Sequence, residues 1–157
     1  MLTQINANEI TKNLWQGSLP PPGSELTKLG FETLVLCAKE YQPASTRFTG
    51  VNVVYAPNND DPRRPPTKEE MNVALRAAAR VCLDIQKGKK VLVTCWQGLN
   101  RSGFVCALVL YMLKGMSGLQ CRLQVQIRRP FALSNPMFVR VLDSLPVLKN
   151  QNTRNIK

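Results

Sequence analysis

The feature that most restricts the fold of this chain is the run from Val91 to Leu113, where a short apolar stretch, a polar glycine-containing loop and a ten-residue apolar segment follow one another without a linker. Val91-Leu92-Val93 reads as a buried strand, and Thr94 to Gly103 as a tight loop. Phe104 to Leu113 then reads as a mostly buried helix that Gly115 ends. Strand, loop and helix in that order are the kernel of an α/β unit.

The remaining segments supply partners for that kernel. Ser24 can cap a short helix through Leu29, Gly30 can end it, and Thr33 to Cys37 reads as another buried strand. Val51 to Tyr55 is a further strand. Thr67-Lys68-Glu69-Glu70 is a capping box, and Met71, Ala74, Leu75, Ala78, Val81, Cys82 and Ile85 follow at helical spacing up to Gly88, which predicts one buried face. Ser117 with Gln120 looks like a second capping box. Ser134-Asn135-Pro136 places a cap and a first-turn proline before Phe138, Val141, Leu142 and Leu145. Strands alternating with helices predict an α/β sandwich with a small, mainly parallel central sheet flanked by helices. At 157 residues, with 44% apolar and 20% charged residues, the chain has the size and composition of one globular domain. That domain is expected to span 1–157, with a core of about 8–148 and a short basic C-terminal tail.

The net charge of +11 is unevenly spread, because residues 100–157 hold nine Lys/Arg against the single acid Asp143. Such a face attracts anions, whether nucleic acid, an acidic phosphoprotein or an anionic lipid surface, and it is also compatible with plain solvation. No stretch approaches the roughly 20 apolar residues of a membrane span, and Met1 to Asn13 lacks the apolar centre of a secretory leader. Five cysteines is an odd number, and Cys37, Cys82, Cys106 and Cys121 lie in apolar segments that favour small buried thiols. A reducing compartment is therefore expected, the cytoplasm first and the nucleus as an alternative.

The fifth cysteine is different. Cys95 leaves a buried strand and enters a loop that meets a helix at Arg101, so successive backbone N–H groups can converge at a helix N-terminus and hold a dianion. Cys-x5-Arg alone arises readily by chance; the strand, the glycine and the helix give it meaning. A thiolate at Cys95 is a nucleophile that the same N–H groups favour, and it would attack phosphorus to form a phosphocysteine. Arg101 offers a planar fork for two phosphoryl oxygens, which a lysine cannot copy. Gly98 frees the loop backbone, and the Ser102 hydroxyl is placed to hydrogen-bond the thiolate when it leaves. Trp96, Gln97, Leu99 and Asn100 contribute mainly backbone N–H groups. Nothing in the pattern implies a metal or an organic cofactor.

A departing alkoxide needs a proton, and the chain contains no histidine to supply it. Asp60 and Asp61, in Asn58-Asn59-Asp60-Asp61-Pro62, follow a strand on the same end of a parallel sheet as the Cys95 loop and are the candidate acids. Both also fit simple turn chemistry. Arg63 and Arg64 can grip a second phosphate or stay solvated.

These residues resemble the dual-specificity branch of the protein tyrosine phosphatase superfamily, whose His-Cys-x2-Gly-x2-Arg-Ser/Thr signature is met at Cys95, Gly98, Arg101 and Ser102. Ile10 to Ser18 looks like that family's opening strand and turn, and Arg128-Arg129-Pro130 through Asn135-Pro136 looks like its segment before the last helix. The resemblance covers nearly all of residues 8–148. It implies a phosphoprotein substrate, a shallow site open to phosphotyrosine and phosphoserine/threonine, and Asp60 ahead of Asp61 as general acid, since Ala56-Pro57-Asn58-Asn59-Asp60 resembles the family's acid motif. A gapless alignment register places Asn59 there instead. Thr94 stands where the family has a histidine; its hydroxyl can still hydrogen-bond the loop.

Three other readings remain. An RNA 5′-triphosphatase of the cysteine phosphatase type would suit the basic charge and the Gly98 to Gly103 sequence, with RNA as substrate. A phosphoinositide phosphatase is disfavoured by the lack of basic residues from Trp96 to Asn100. A phosphate-binding pseudophosphatase, weak or inert in turnover, is motivated by Thr94.

Overall fold

The computed structural model describes residues 5–148; the basic C-terminal tail lies outside them. Five strands and five helices follow in chain order. The strands are β1 (Ala7–Thr11), β2 (Leu14–Ser18), β3 (Thr33–Ala38), β4 (Asn52–Asn58) and β5 (Val91–Cys95). The helices are α1 (Glu25–Lys28), α2 (Lys68–Gln86), α3 (Arg101–Lys114), α4 (Gly118–Arg128) and α5 (Pro136–Asp143).

The strands form one sheet in the order β1-β2-β5-β3-β4, in which only the β1–β2 hairpin is antiparallel. The mainly parallel α/β sandwich read from the sequence is therefore the observed architecture. β5 is central and every one of its residues is buried, which is why it reads as an unbroken apolar run rather than an alternation. β4 is an edge strand and continues to Asn58, three residues beyond the expected Tyr55; it tolerates Pro57 because an edge strand can forgo a ladder N–H. The opening strand and turn prove to be a hairpin, turned through Asn13 at φ 69°.

Strand alternation sends side chains to two unequal faces. Leu34, Leu36 and Leu92 pack with Leu26, Phe31 and Phe48 on the thin face. Val35, Cys37, Val91, Val93 and Cys95 join the larger core under α2, α3, α4 and α5. Both predicted capping boxes form, Thr67 with Glu70 and Ser117 with Gln120. Asn135 caps α5 by accepting from Met137 N–H at 2.8 Å, with Pro136 in the first turn. Leu75 departs from expectation: it lies 38% exposed, and Ala77 turns inward instead. The reason is the small-residue stripe Ala74, Ala77, Ala78 and Val81, which lets α2 approach α3 closely. α3 is buried from Arg101 to Leu110, and Phe104 stacks on Phe138 of α5 at 4.7 Å between ring centres. The loop after β5 is thus anchored at one end by the central strand and at the other by the most buried helix.

Candidate active site

Three parallel strands deliver their following residues to the same edge of the sheet. β5 ends at Cys95, β4 ends two residues before Asp60, and β3 ends two residues before Glu40. Between them lies a cavity of about 120 Å³ lined by Glu40, Asp60, Cys95, Trp96, Gln97, Leu99, Asn100 and Arg101.

The Cys95–Arg101 loop is fastened by its carbonyls from behind. Gly98 O accepts from Gln16 Nε2 at 3.0 Å and from Arg129 Nε at 2.6 Å. Gln97 O accepts from Arg129 at 3.3 Å, and Leu99 O accepts from Gln16 at 3.3 Å and from Leu133 N–H at 3.1 Å. The carbonyls are thereby spoken for, whereas no N–H of Gln97 through Asn100 donates to another protein group among the described residues. Unpaired amides in a concave turn make an anion cradle. Gly98, at φ +72°, lets the loop lie against β2: a Cβ there would stand 2.2 Å from the carbonyl carbon of Gly17.

Cys95 is 3% exposed, with Sγ hydrogen-bonded to Ser102 Oγ at 3.3 Å. Ser102 Oγ also accepts from Gln16 Nε2 at 3.3 Å, which leaves the hydroxyl hydrogen available to the sulfur. Gly98 and Ser102 therefore sit behind the cavity rather than on its wall. Thr94 does not bond the loop. Its hydroxyl donates to Val35 O at 2.8 Å, because alternation along β5 turns it to the opposite face from Cys95.

Arg101 is 8% exposed and its guanidinium is divided between two tasks. Nη1 donates to Glu40 Oε1 at 2.5 Å and to Asn58 O at 3.0 Å, while Nη2 donates to Glu40 Oε2 at 2.8 Å. Of the five guanidinium hydrogens, this uses the end-on pair and the outer Nη1 hydrogen. The side-on edge has no protein partner among the described residues, its Nε being buried and unpaired. Two parallel donors on that edge match two oxygens of a tetrahedral anion. The hydrogen bond from Arg101 holds the Glu40 carboxyl down at about 2, so Glu40 stays charged and the clamp stays closed at any ordinary pH.

Asp60 stands in the cavity on two amides: Oδ2 accepts from Asn100 Nδ2 at 3.1 Å and Oδ1 from Asn135 Nδ2 at 2.7 Å. Each oxygen keeps a lone pair for a proton. Asp61 faces away, paired with Arg63 at 3.0 Å. Hydrogen bonds from the Arg63 side chain and then its N–H lower the Asp61 carboxyl from its ordinary value. Asn59 turns to Glu70, to which Arg64 is also bound at 2.6 Å. None of Asn59, Asp61, Arg63 and Arg64 lines the Cys95 cavity. Burial raises the other thiols, Cys37 and Cys106 furthest and Cys82 and Cys121 to about 11, so they remain protonated.

Sequence reasoning missed Gln16, Glu40, Arg129 and Asn135 as members of the site. Glu40 was findable by the strand-end rule that located Asp60. Gln16, a polar residue inside the strand Leu14–Ser18, was a second available signal, because a buried amide must have partners. Arg129 and Asn135 stood out only within the segment that resembles the family's stretch before the last helix, with nothing local to assign them a role in the site.

This architecture, with a cysteine at the end of the central strand and an arginine opening the next helix, is a cysteine-phosphatase fold. Among solved structures it is similar to dual-specificity phosphatases of the protein tyrosine phosphatase superfamily. Human DUSP28 is 25% identical with a TM-score of 0.72, over 86% of this chain and 92% of that one. A mouse protein described as a dual specificity phosphatase, complexed with zinc tungstate, is 24% identical at a TM-score of 0.76, over 90% and 87% of the two chains. PTPMT1 in complex with PI(5)P is 17% identical at a TM-score of 0.73, over 87% and 92%. No protein-family model matches the sequence, and no curated protein matches it closely enough to carry an argument. The fold supports cysteine-based phosphatase chemistry. Among the described residues no helix is long and apolar enough to cross a membrane.

Proposed function

We propose that the protein is a cysteine-dependent phosphatase that removes single phosphate groups from protein side chains, phosphotyrosine foremost and phosphoserine/threonine as well. One observation carries the reading. Cys95, Asp60, Arg101 with its unpaired Nε, and loop residues whose N–H groups have no protein partner all line one small cavity. In the first step the Cys95 thiolate attacks phosphorus along the line of the leaving oxygen, and the P–O bond breaks as the P–S bond forms. Asp60 gives its proton to that oxygen. In the second step water attacks the phosphocysteine, Asp60 takes the water's proton, and sulfur leaves with the electron pair while the Ser102 O–H supports it. Arg101 and the loop amides hold the three equatorial oxygens as charge spreads in both transition states.

The cavity composition favours a monoester over the triphosphate end of an RNA or a polyphosphorylated inositol. Among the described residues Arg101 is the one cation lining it, and Arg63 and Arg64 are bound to Asp61 and Glu70 instead. The presence of an amide-held carboxylate also argues against a mechanism without an acid. Exposed Trp96, edge-to-face with Tyr41 at 6.1 Å, gives the mouth an aromatic wall suited to an aryl phosphate. The test compares turnover of a phosphotyrosine peptide, a phosphothreonine peptide, PI(5)P and triphosphate-ended RNA. The reading expects the phosphotyrosine peptide first. It fails if folded, reduced protein turns over none of them, or prefers the RNA with a rate that Asp60→Ala leaves unchanged.

A further inference from the structure

Arg129 enters the loop from the end of α4, far in sequence from Cys95, and its surroundings are unusual for an arginine. It is 5% exposed and its four hydrogen bonds go to neutral oxygens only: Gly98 O, Gln97 O, Asn8 Oδ1 at 2.7 Å and Asn6 Oδ1 at 3.2 Å. No carboxylate pairs with it among the described residues. A buried guanidinium without a counter-ion is costly, and such a charge is retained where an anion uses it.

The charges around Cys95 show which anion. From β3 comes Cys37, and from α3 come Cys106 and Arg101; burial keeps both thiols neutral. Glu40 follows β3, Asp60 follows β4, and β2 brings the uncharged Gln16, Gly17 and Ser18, the last in register with Cys95. Glu40 neutralises Arg101 through its two-point clamp. With Asp60 carrying the proton it donates, the set holds two cations and one carboxylate; without Arg129, Arg101 alone faces Glu40. A thiolate at Cys95 and an incoming phosphate dianion would then both enter a site with no net positive charge.

We propose that Arg129 is the positioning residue that makes the site electrostatically competent: it holds the Gln97 and Gly98 carbonyls outward, so that the loop amides face the anion, and it supplies the uncompensated positive charge that keeps Cys95 ionised. The reading rests on Cys95 being the nucleophile, and it assigns the two halves of the work to separable properties of one side chain. Burial lowers the Arg129 guanidinium from its ordinary value, and a negative charge at Cys95 would oppose that shift. Thr94, turned onto Val35, leaves that charge to Arg129 and the clamped Arg101.

The experiment measures alkylation of Cys95 by iodoacetamide against pH, read by mass mapping of the Cys95 peptide, with Cys95→Ser as blank. In Arg129→Gln, which keeps a donor and loses the charge, the rate at pH 6 is expected to fall about tenfold while the rate at pH 10, where any thiol is ionised, stays within about twofold. In Arg129→Lys, which keeps the charge and loses the fork, the pH profile should overlay the parent while kcat falls about tenfold through the loosened loop. A folded Arg129→Gln with the parental profile overturns the proposal. If Arg129→Gln does not fold, Arg129→Lys decides: a profile displaced from the parent's overturns it. Alkylation needs no phosphate, so a parent protein that alkylates as expected but hydrolyses no phosphoester would sink the phosphatase reading and leave this one standing.

Discussion

The two loops that meet at the cavity are built in opposite ways. The Cys95–Arg101 loop is gripped from behind by buried groups, Gln16, Arg129 and Leu133, and by the back-to-back glycines 17 and 98. The loop from Asn59 to Pro66 lies on the surface. It is held by the exposed Asp61–Arg63 pair, by Arg64 on Glu70 and by two side-chain amides on Asp60. A dianion cradle must be preorganised, since any relaxation of its amides costs transition-state stabilisation. A proton donor only has to be within reach, and a loop that can yield lets substrate in and product out.

That contrast can be broken most easily at its rigid side. Arg101→Lys keeps the charge but cannot hold Glu40 end-on and a phosphate side-on at once, so kcat on a phosphotyrosine peptide should fall about 10³-fold with little change in melting temperature. On the yielding side, Asp60→Asn should cost about 10²-fold on the same peptide and less on an aryl phosphate whose leaving group needs no proton. Asp61→Asn should stay within about twofold, because Asp61 faces Arg63; equal losses at the two aspartates would erase the distinction between them. Asn135→Ala frees one oxygen of Asp60 and also uncaps α5. It should lower kcat about tenfold and destabilise the fold by about 1 kcal/mol, measured by urea denaturation.

The smallest effect concerns stability against acid. The hydrogen bond from Arg64 is the main reason the Glu70 carboxyl is lowered from 4.5 to about 2, and Glu70 is largely covered. A carboxyl whose native value is depressed adds stability that is complete above its unfolded value and is lost as pH falls through the native one. Glu70→Gln should therefore melt lower than the parent at pH 6, with the gap closing between about pH 4.5 and pH 2. A gap independent of pH would mean that Glu70 acts only as the capping-box partner of Thr67.

The same contrast explains what was legible in the sequence. The cysteine loop is a local device, so strand, glycine, arginine and serine stand together in twelve residues, Val91 to Ser102, and their chemistry can be read directly. The groups that hold it come from β2 and from the end of α4, 82 and 31 positions away, and their role exists only once the chain has folded. Asp60 was reachable because both loops leave parallel strands at one edge; the choice against Asn59 and Asp61 rested on side-chain directions that no spacing encodes. Helix α2 shows the limit of periodicity. Leu75 fits the apolar pattern but is exposed, since close packing on α3 selected the alanines. Thr94 reads as a neighbour of the loop and is one in sequence, yet strand alternation hands its hydroxyl to Val35.

The account stands on Cys95 carrying the phosphoryl group. Rapid acid quench of the parent and of Asp60→Asn during turnover of a phosphotyrosine peptide, followed by mass mapping, tests this directly. The account predicts one phosphoryl group on the Cys95 peptide, at higher occupancy wherever breakdown is slower than formation, and none in Cys95→Ser. Hydrolysis that continues in Cys95→Ser, or a phosphoryl group mapped to any other residue, would contradict it.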